Sequence, residues 1–185
     1  TFYKINRKGH SMAYTNLISG TDIRGIAKKD LTEEFLTKFS VAYSQFLKKK
    51  SDTPIITLGK DSRLSGETIS NKIIEVLTNQ GITIYKLYNH EQPVVTTPLT
   101  YNAVNYYKAH GGLMITASHL PKEWNGLKLF TPEGTLPKKD LVKLLEDAAH
   151  IQIKDSINKG EIIEKGFIEH YCSQLIEKIR EEGKI

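Results

Sequence analysis

Gly111-Gly-Leu-Met-Ile-Thr-Ala-Ser-His-Leu-Pro-Lys-Glu-Trp-Asn-Gly-Leu-Lys-Leu-Phe130 carries two short apolar runs with a polar stretch between them. The first run is too brief for an amphipathic helix, and the spacing predicts a buried strand over 113–116. A second strand is expected over 126–130, and the two read as a hairpin. Ser118 then follows a buried strand directly, so its hydroxyl is exposed on a rigid support. Gly111 and Gly112 read as the stop of a preceding helix.

Upstream, Thr97-Pro98 reads as an N-cap followed by proline at the first helical position, with the helix running to about His110. A strand is expected over 82–88. Before it, Ser65 is a candidate N-cap for a helix to Gln80 with Ile69, Ile73, Val76 and Leu77 inward, stopped by Gly81. Pro54 precedes a strand over 55–58, and 59–66 is a loop. Asp30-Leu-Thr-Glu33 resembles a capping box opening a helix to about Lys49, with Leu31, Phe35, Phe39, Ala42 and Phe46 on one face. Downstream, Pro132-Glu-Gly134 is a turn, 139–149 a leucine-rich helix and 167–182 an amphipathic helix in which Cys172 reads as a packing residue. Strands alternate with helices, so the class is α/β, with a mixed, mainly parallel sheet flanked by helices. No repeat period is present.

Of the 185 residues, 39% are apolar and 25% charged, which suits a globular chain and argues against disorder. The excess of 26 Lys and Arg over 21 Asp and Glu gives +5, compatible with an anionic small molecule. Aromatic and basic residues are not interleaved as in RNA-binding modules, and Lys48-Lys-Lys50 reads as a solvated helix end, so no nucleic-acid partner is expected. The single cysteine excludes a disulfide within the chain and fits a reduced, cytoplasmic setting. No apolar run has the length of a membrane span, and residues 1–14 lack the apolar core of a secretory leader.

In α/β sheets, sites gather where strands give way to loops at their carboxyl ends. Three polar segments, 22–25, 61–66 and 118–125, stand in such places. A serine nucleophile needs a proton acceptor and nearby cations, and His119 and Lys128 are of the right type. In extended chain, however, neighbours 118 and 119 point opposite ways, and a plain turn serine is the bland alternative. Asp22-Ile-Arg-Gly25 alone reads as a turn with a charged pair. Gly59-Lys-Asp-Ser-Arg-Leu-Ser-Gly66 reads as a tight loop whose junction with a helix offers free N–H groups to anions. Asp61 and Ser65 are expected to build that loop and cap the helix.

Taken in order, these segments resemble three motifs of the α-D-phosphohexomutases, the phosphoglucomutase/phosphomannomutase family. Thr116-Ala-Ser-His-Leu-Pro followed by Asn125-Gly-Leu-Lys128 is similar to the active-serine loop of its first domain. The resemblance implies that Ser118 carries a phosphoryl group between hexose phosphates, and helps ligate Mg²⁺ through its phosphate. It makes His119 and Lys128 helpers in proton and charge handling. Leu120 stands where the family usually has Asn. Arg24 is implied to bind phosphate oxygens close to the serine, and Arg63 to be a substrate- or phosphate-binding residue. Thr21 occupies a position that is aromatic in some members and receives no role, and Thr96-Thr-Pro98 reads as structural.

The implied partners are a hexose phosphate and the remaining domains of the same polypeptide, with hexose 1,6-bisphosphate as activator. The family's Asp-x-Asp-x-Asp metal loop has no counterpart here. The expected layout is therefore an N-terminal arm over 1–15, a first domain with the serine loop over 16–160, and a helix leading toward a second domain over 161–185. Such a piece is expected to be inactive alone. Two other readings stay open: a phosphate-binding module without chemistry, and a Ser-His hydrolase, for which no Gly-x-Ser-x-Gly elbow is present. Glucose, mannose and glucosamine phosphates are all open as substrates.

Overall fold

The computed structural model describes residues 14–153 and 159–183. The expected arm therefore lies outside the described residues up to position 13. A 3-10 turn, Tyr14–Leu17, leads into β1 (Ile18–Ser19) and β2 (Asp22–Ile26). The chain continues through α1 (Glu33–Lys48), β3 (Ile55–Lys60), α2 (Gly66–Asn79), β4 (Thr83–Lys86), α3 (Thr97–Tyr106), β5 (Gly111–Ile115), β6 (Trp124–Thr131), β7 (Gly134–Thr135), α4 (Lys138–His150), β8 (Ile162–Glu164) and α5 (Ile168–Glu181). The strands form one mixed sheet in the order β1-β2-β6-β5-β3-β4-β8, with β7 paired to β6.

The half β5-β3-β4-β8 is parallel, and the half around β6 is antiparallel. The antiparallel half owes its width to β2. Residues 22–26 are not the turn that their charges suggest. They pair along their whole length with β6, Asp22 opposite Lys128 and Ile26 opposite Trp124. Ile23 is fully buried, and Asp22 and Arg24 neutralise each other, so the segment can lie inside the sheet.

Helices α1, α2 and α4 form one layer, and α3 with α5 lies on the other face. Gly111 and Gly112 belong to β5 and do not end α3, whose last residue is Tyr106. A Cβ on Gly111 would sit 2.6 Å from the Tyr43 hydroxyl of α1, and one on Gly112 2.6 Å from Val104 of α3. The strand is pinched between both layers, so neither position has room for a side chain.

The inward faces of α1 and α2 are those expected, with Phe35, Phe39 and Ala42, and Ile69, Ile73, Val76 and Leu77, in the core. Phe35, Phe39, Tyr43 and Phe46 stack in sequence along α1. The caps differ from the reading. Thr32, not Asp30, caps α1 by accepting from Phe35 N, while the Asp30 carboxylate accepts from Ile26 N. Thr96, one residue earlier than expected, caps α3. Each such cap is worth about 1 kcal/mol. Ser65 makes no capping bond, because its hydroxyl is taken by Asn125.

Segment 161–185 begins with β8, which extends the sheet beside β4, before α5 starts. Cys172 is exposed and not a packing residue. Helix α5 has no buried residue among those described, since only its start leans on α3, through Phe167 and His170 against Tyr106.

Candidate active site

Ser118 sits in the β5–β6 loop, just past the end of β5. Its φ is +53°, a left-handed conformation that a residue with a Cβ takes at a cost of roughly 1–2 kcal/mol. Local bonds hold it there. Ser118 N donates to Thr116 Oγ1 at 2.9 Å, and Leu120 N closes a turn onto Ala117 O at 3.0 Å. The result is an exposed serine on a fixed main chain.

Arg24 reaches this serine from β2. The register sets Arg24 opposite Gly126, whose own neighbour across β6 is Thr116. A Cβ on Gly126 would meet Arg24 Cδ at 2.8 Å and Ile23 O at 2.2 Å. The glycine thus leaves a lane across β6 for the arginine. At its end, the guanidinium donates to Thr116 O at 3.1 Å and to Ser118 Oγ at 3.0 Å.

Asp22 precedes Arg24 by two residues and so shares its face of the strand. One carboxylate oxygen, Oδ2, accepts from Arg24 at 2.8 Å and from Lys128 Nζ at 2.5 Å. Lys128 stands opposite Asp22 in the register and joins the serine site through this bridge. Sequence reasoning gives Asp22 no role of its own; the two-residue spacing to Arg24 is the available signal.

Arg63 enters from the loop between β3 and α2. Its terminal nitrogens donate to the carbonyls of Ser118 (2.9 Å), Leu120 (2.7 Å), Pro121 (2.7 Å) and Trp124 (2.9 Å). Asp61 faces its Nε at 3.3 Å. Asn125, fully buried, ties the far side of the loop to Ser65 at 2.8 Å and turns its own carbonyl onto Gly126 N.

All five expected site residues therefore gather at one end of the sheet, with different contacts. Arg24 touches the serine hydroxyl, Arg63 touches the serine main chain, and Lys128 is linked through Asp22. His119 follows Ser118 in the loop, exposed and without a hydrogen-bond partner among the described residues. The hydroxyl of Ser118 is met by a donor, Arg24, and not by a base. A Ser-His hydrolase pair is therefore not formed.

Three cations, Arg24, Arg63 and Lys128, face two carboxylates, Asp22 and Asp61. The cluster keeps one excess positive charge beside an open cleft of about 610 Å³ lined by Asp61, Ser62, Arg63, Leu64, Ser118, Leu120, Lys122 and Glu123. Such a site can hold an anion against the serine. It does not fit a divalent metal. Among the described residues no three His, Cys, Asp or Glu side chains gather, and Asp22 is already shared by two cations.

The sequence profile described as phosphoglucomutase/phosphomannomutase, alpha/beta/alpha domain I, matches residues 16–155. The chain belongs to the phosphoglucomutase/phosphomannomutase family. A phosphoglucomutase/phosphomannomutase of Thermococcus kodakarensis is 35% identical over 126 residues, 68% of this chain and 26% of that protein. A phosphoglucosamine mutase of Finegoldia magna is 38% identical over 128 residues, 69% of this chain and 27% of that protein. The chain thus spans about a quarter of these relatives. The fold is that of a putative phosphomannomutase from Thermus thermophilus, with a TM-score of 0.73 at 24% identity over 88% of this chain and 36% of that one. Within the phosphoglucomutase/phosphomannomutase family this is the domain-I fold. No described helix is long and apolar enough to cross a membrane.

Proposed function

We propose that the chain is the serine-bearing domain of an enzyme that interconverts hexose 1-phosphate and hexose 6-phosphate through a bisphosphate. The observation that carries this reading is Arg24, which donates to both Thr116 O and Ser118 Oγ and so fixes a cation against an exposed hydroxyl. In the working enzyme Ser118 is phosphorylated, with hexose 1,6-bisphosphate as activator and source of the phosphate. The P–Oγ bond breaks as a sugar hydroxyl oxygen bonds to phosphorus and gives up its proton. The bisphosphate then turns over, and its other phosphate returns to Ser118. Arg24 and Lys128 offset the charge on the transferring group, and His119, free in the loop, receives or returns the proton.

Mg²⁺ would neutralise phosphate charge beside Ser118 in the full-length enzyme. This chain supplies too few ligands for it, so the metal's carboxylates and the grip on the sugar are assigned to the remaining domains, past the boundary near 160. The protein is read as cytoplasmic and free of nucleic-acid and membrane partners. The hexose is glucose, mannose or glucosamine; both a phosphoglucomutase/phosphomannomutase and phosphoglucosamine mutases are among the relatives.

The test is Ser118→Ala in the full-length polypeptide, assayed for hexose 1-phosphate conversion with bisphosphate present. Turnover is expected to fall to background, and ³²P from the bisphosphate should label the parent but not the variant. Full activity without Ser118 ends the phosphoserine reading. A parent that takes no label is instead the phosphate-binding module without chemistry. The Leu120 substitution does not favour that module, because the loop is held at position 120 through its main-chain oxygen.

A further inference from the structure

We propose that Arg63 is a positioning residue for this reaction, which holds the Ser118 loop in its reactive shape through main-chain oxygens and does not bind phosphate. The inference rests on the reading of Ser118 given above. A guanidinium has five N–H groups. Four are spent on the carbonyls of Ser118, Leu120, Pro121 and Trp124, all within 2.9 Å. The fifth, on Nε, makes no hydrogen bond, but it is buried 3.3 Å from the Asp61 carboxylate and out of reach of a ligand. The side chain is only 12% exposed. No donor is left open to a ligand.

The clamp is itself anchored. Asp61 N donates to Ile115 O at 3.1 Å at the end of β5, and Asp61 Oδ1 accepts from Arg63 N at 3.0 Å. The segment after β3 is thereby fixed to the strand that launches the serine loop, and from there the fork reaches four points of that loop. This matters because Ser118 occupies a left-handed conformation that a free loop would leave. Donation to Ser118 O holds that peptide while Arg24 holds the hydroxyl. Since every acceptor is a backbone oxygen, the side chain at 120 is free to vary, which accounts for Leu120. A lysine has three donors on one point charge and cannot span four diverging carbonyls.

The experiment compares full-length parent, Arg63→Lys and Arg63→Ala. Steady-state kinetics with a hexose 1-phosphate, hydrogen exchange across residues 116–126 and thermal unfolding are read on each. Arg63→Ala should lower kcat about 100-fold, the scale of a misplacement of about 1 Å, with KM unchanged and faster exchange in the loop. Arg63→Lys should resemble Ala, because charge without the planar fork does not restore the clamp. A rise in KM with kcat intact, full rescue by lysine, or unchanged exchange would overturn the proposal in favour of phosphate binding. Unfolding of both variants would overturn it in favour of a global structural role. Ser118→Ala serves as the control. If that variant stays active the mutase reading fails, while loop exchange in the Arg63 variants still decides the clamp.

Discussion

Asp22 holds two cations with one carboxylate, at 2.8 Å to Arg24 and 2.5 Å to Lys128, and all three side chains are largely buried. Arg24 alone could turn toward solvent, and Lys128 alone would repel it; the shared oxygen keeps both aimed across β6. Removing that charge leaves two neighbouring cations half out of water with no counter-ion, while hydrogen bonds to charged groups contribute about 2 kcal/mol. Asp22→Asn should therefore lower the unfolding free energy by about 2 kcal/mol, read as a drop in urea midpoint at unchanged m-value. Inorganic phosphate should recover more stability in the variant than in the parent, because an anion that binds only the folded state stabilises it by mass action. A variant as stable as the parent, or one indifferent to phosphate, would mean that Asp22 does not organise the cluster. At this scale the sequence is informative about residue types, and silent about who touches whom. That Ser118, Arg24 and Lys128 come together is legible from their motifs, but Arg63's four carbonyl partners are not, because backbone oxygens leave no mark on composition.

Elements are legible wherever an apolar period is intact. Helices α1, α2 and α4 and strands β3 to β6 lie close to where periodicity puts them, because their inward faces are continuous. β2 reads wrongly as a turn because Asp22, Arg24 and Gly25 interrupt the period; its charges cancel within the strand rather than marking a turn. β8 has its middle residue alone partly buried and is a strand because β4 offers a free edge, a tertiary fact. The fit between α1 and β5 has a titration consequence. Burial pushes the Tyr43 phenol well above its usual range, and burial likewise pushes Tyr88, bonded to Ser70, up to about 12. Both folded values lie above the unfolded value of 10.0, so their contribution to stability is fully present below about pH 10. It is lost as pH rises toward and through the folded values. Urea midpoints should hold up to about pH 9.5 and fall steeply between about pH 10 and 12. Replacing both tyrosines by phenylalanine should flatten that slope; an unchanged slope would place the alkaline transition elsewhere.

At the scale of the whole molecule, the domain presents a charged, preorganised serine loop but little with which to grip a sugar. Its cleft beside Ser118 is open, no described residues gather as metal ligands, and the exposed apolar residues Ile168, Leu175, Ile176 and Ile179 leave α5 uncovered. The chain also spans only 26% and 27% of two of its curated relatives. Phosphoryl transfer depends almost wholly on positioning and charge stabilisation, so missing parts multiply. One preorganised electrostatic group is typically worth about 10²–10³ in rate. On the proposed function, which assigns the metal's carboxylates and the sugar grip to the remaining domains, this domain alone should show nothing measurable. We expect residues 1–185 alone to fold, with the cooperative urea transition of a single domain, and yet to show no mutase turnover under conditions where the full-length polypeptide works. The comparison is made at equal concentration with a hexose 1-phosphate and the bisphosphate activator present, and with ³²P transfer to Ser118 followed in parallel. Robust turnover by the 185 residues would show that the domain holds a complete site, and would require metal and sugar ligands within it that its described side chains do not assemble.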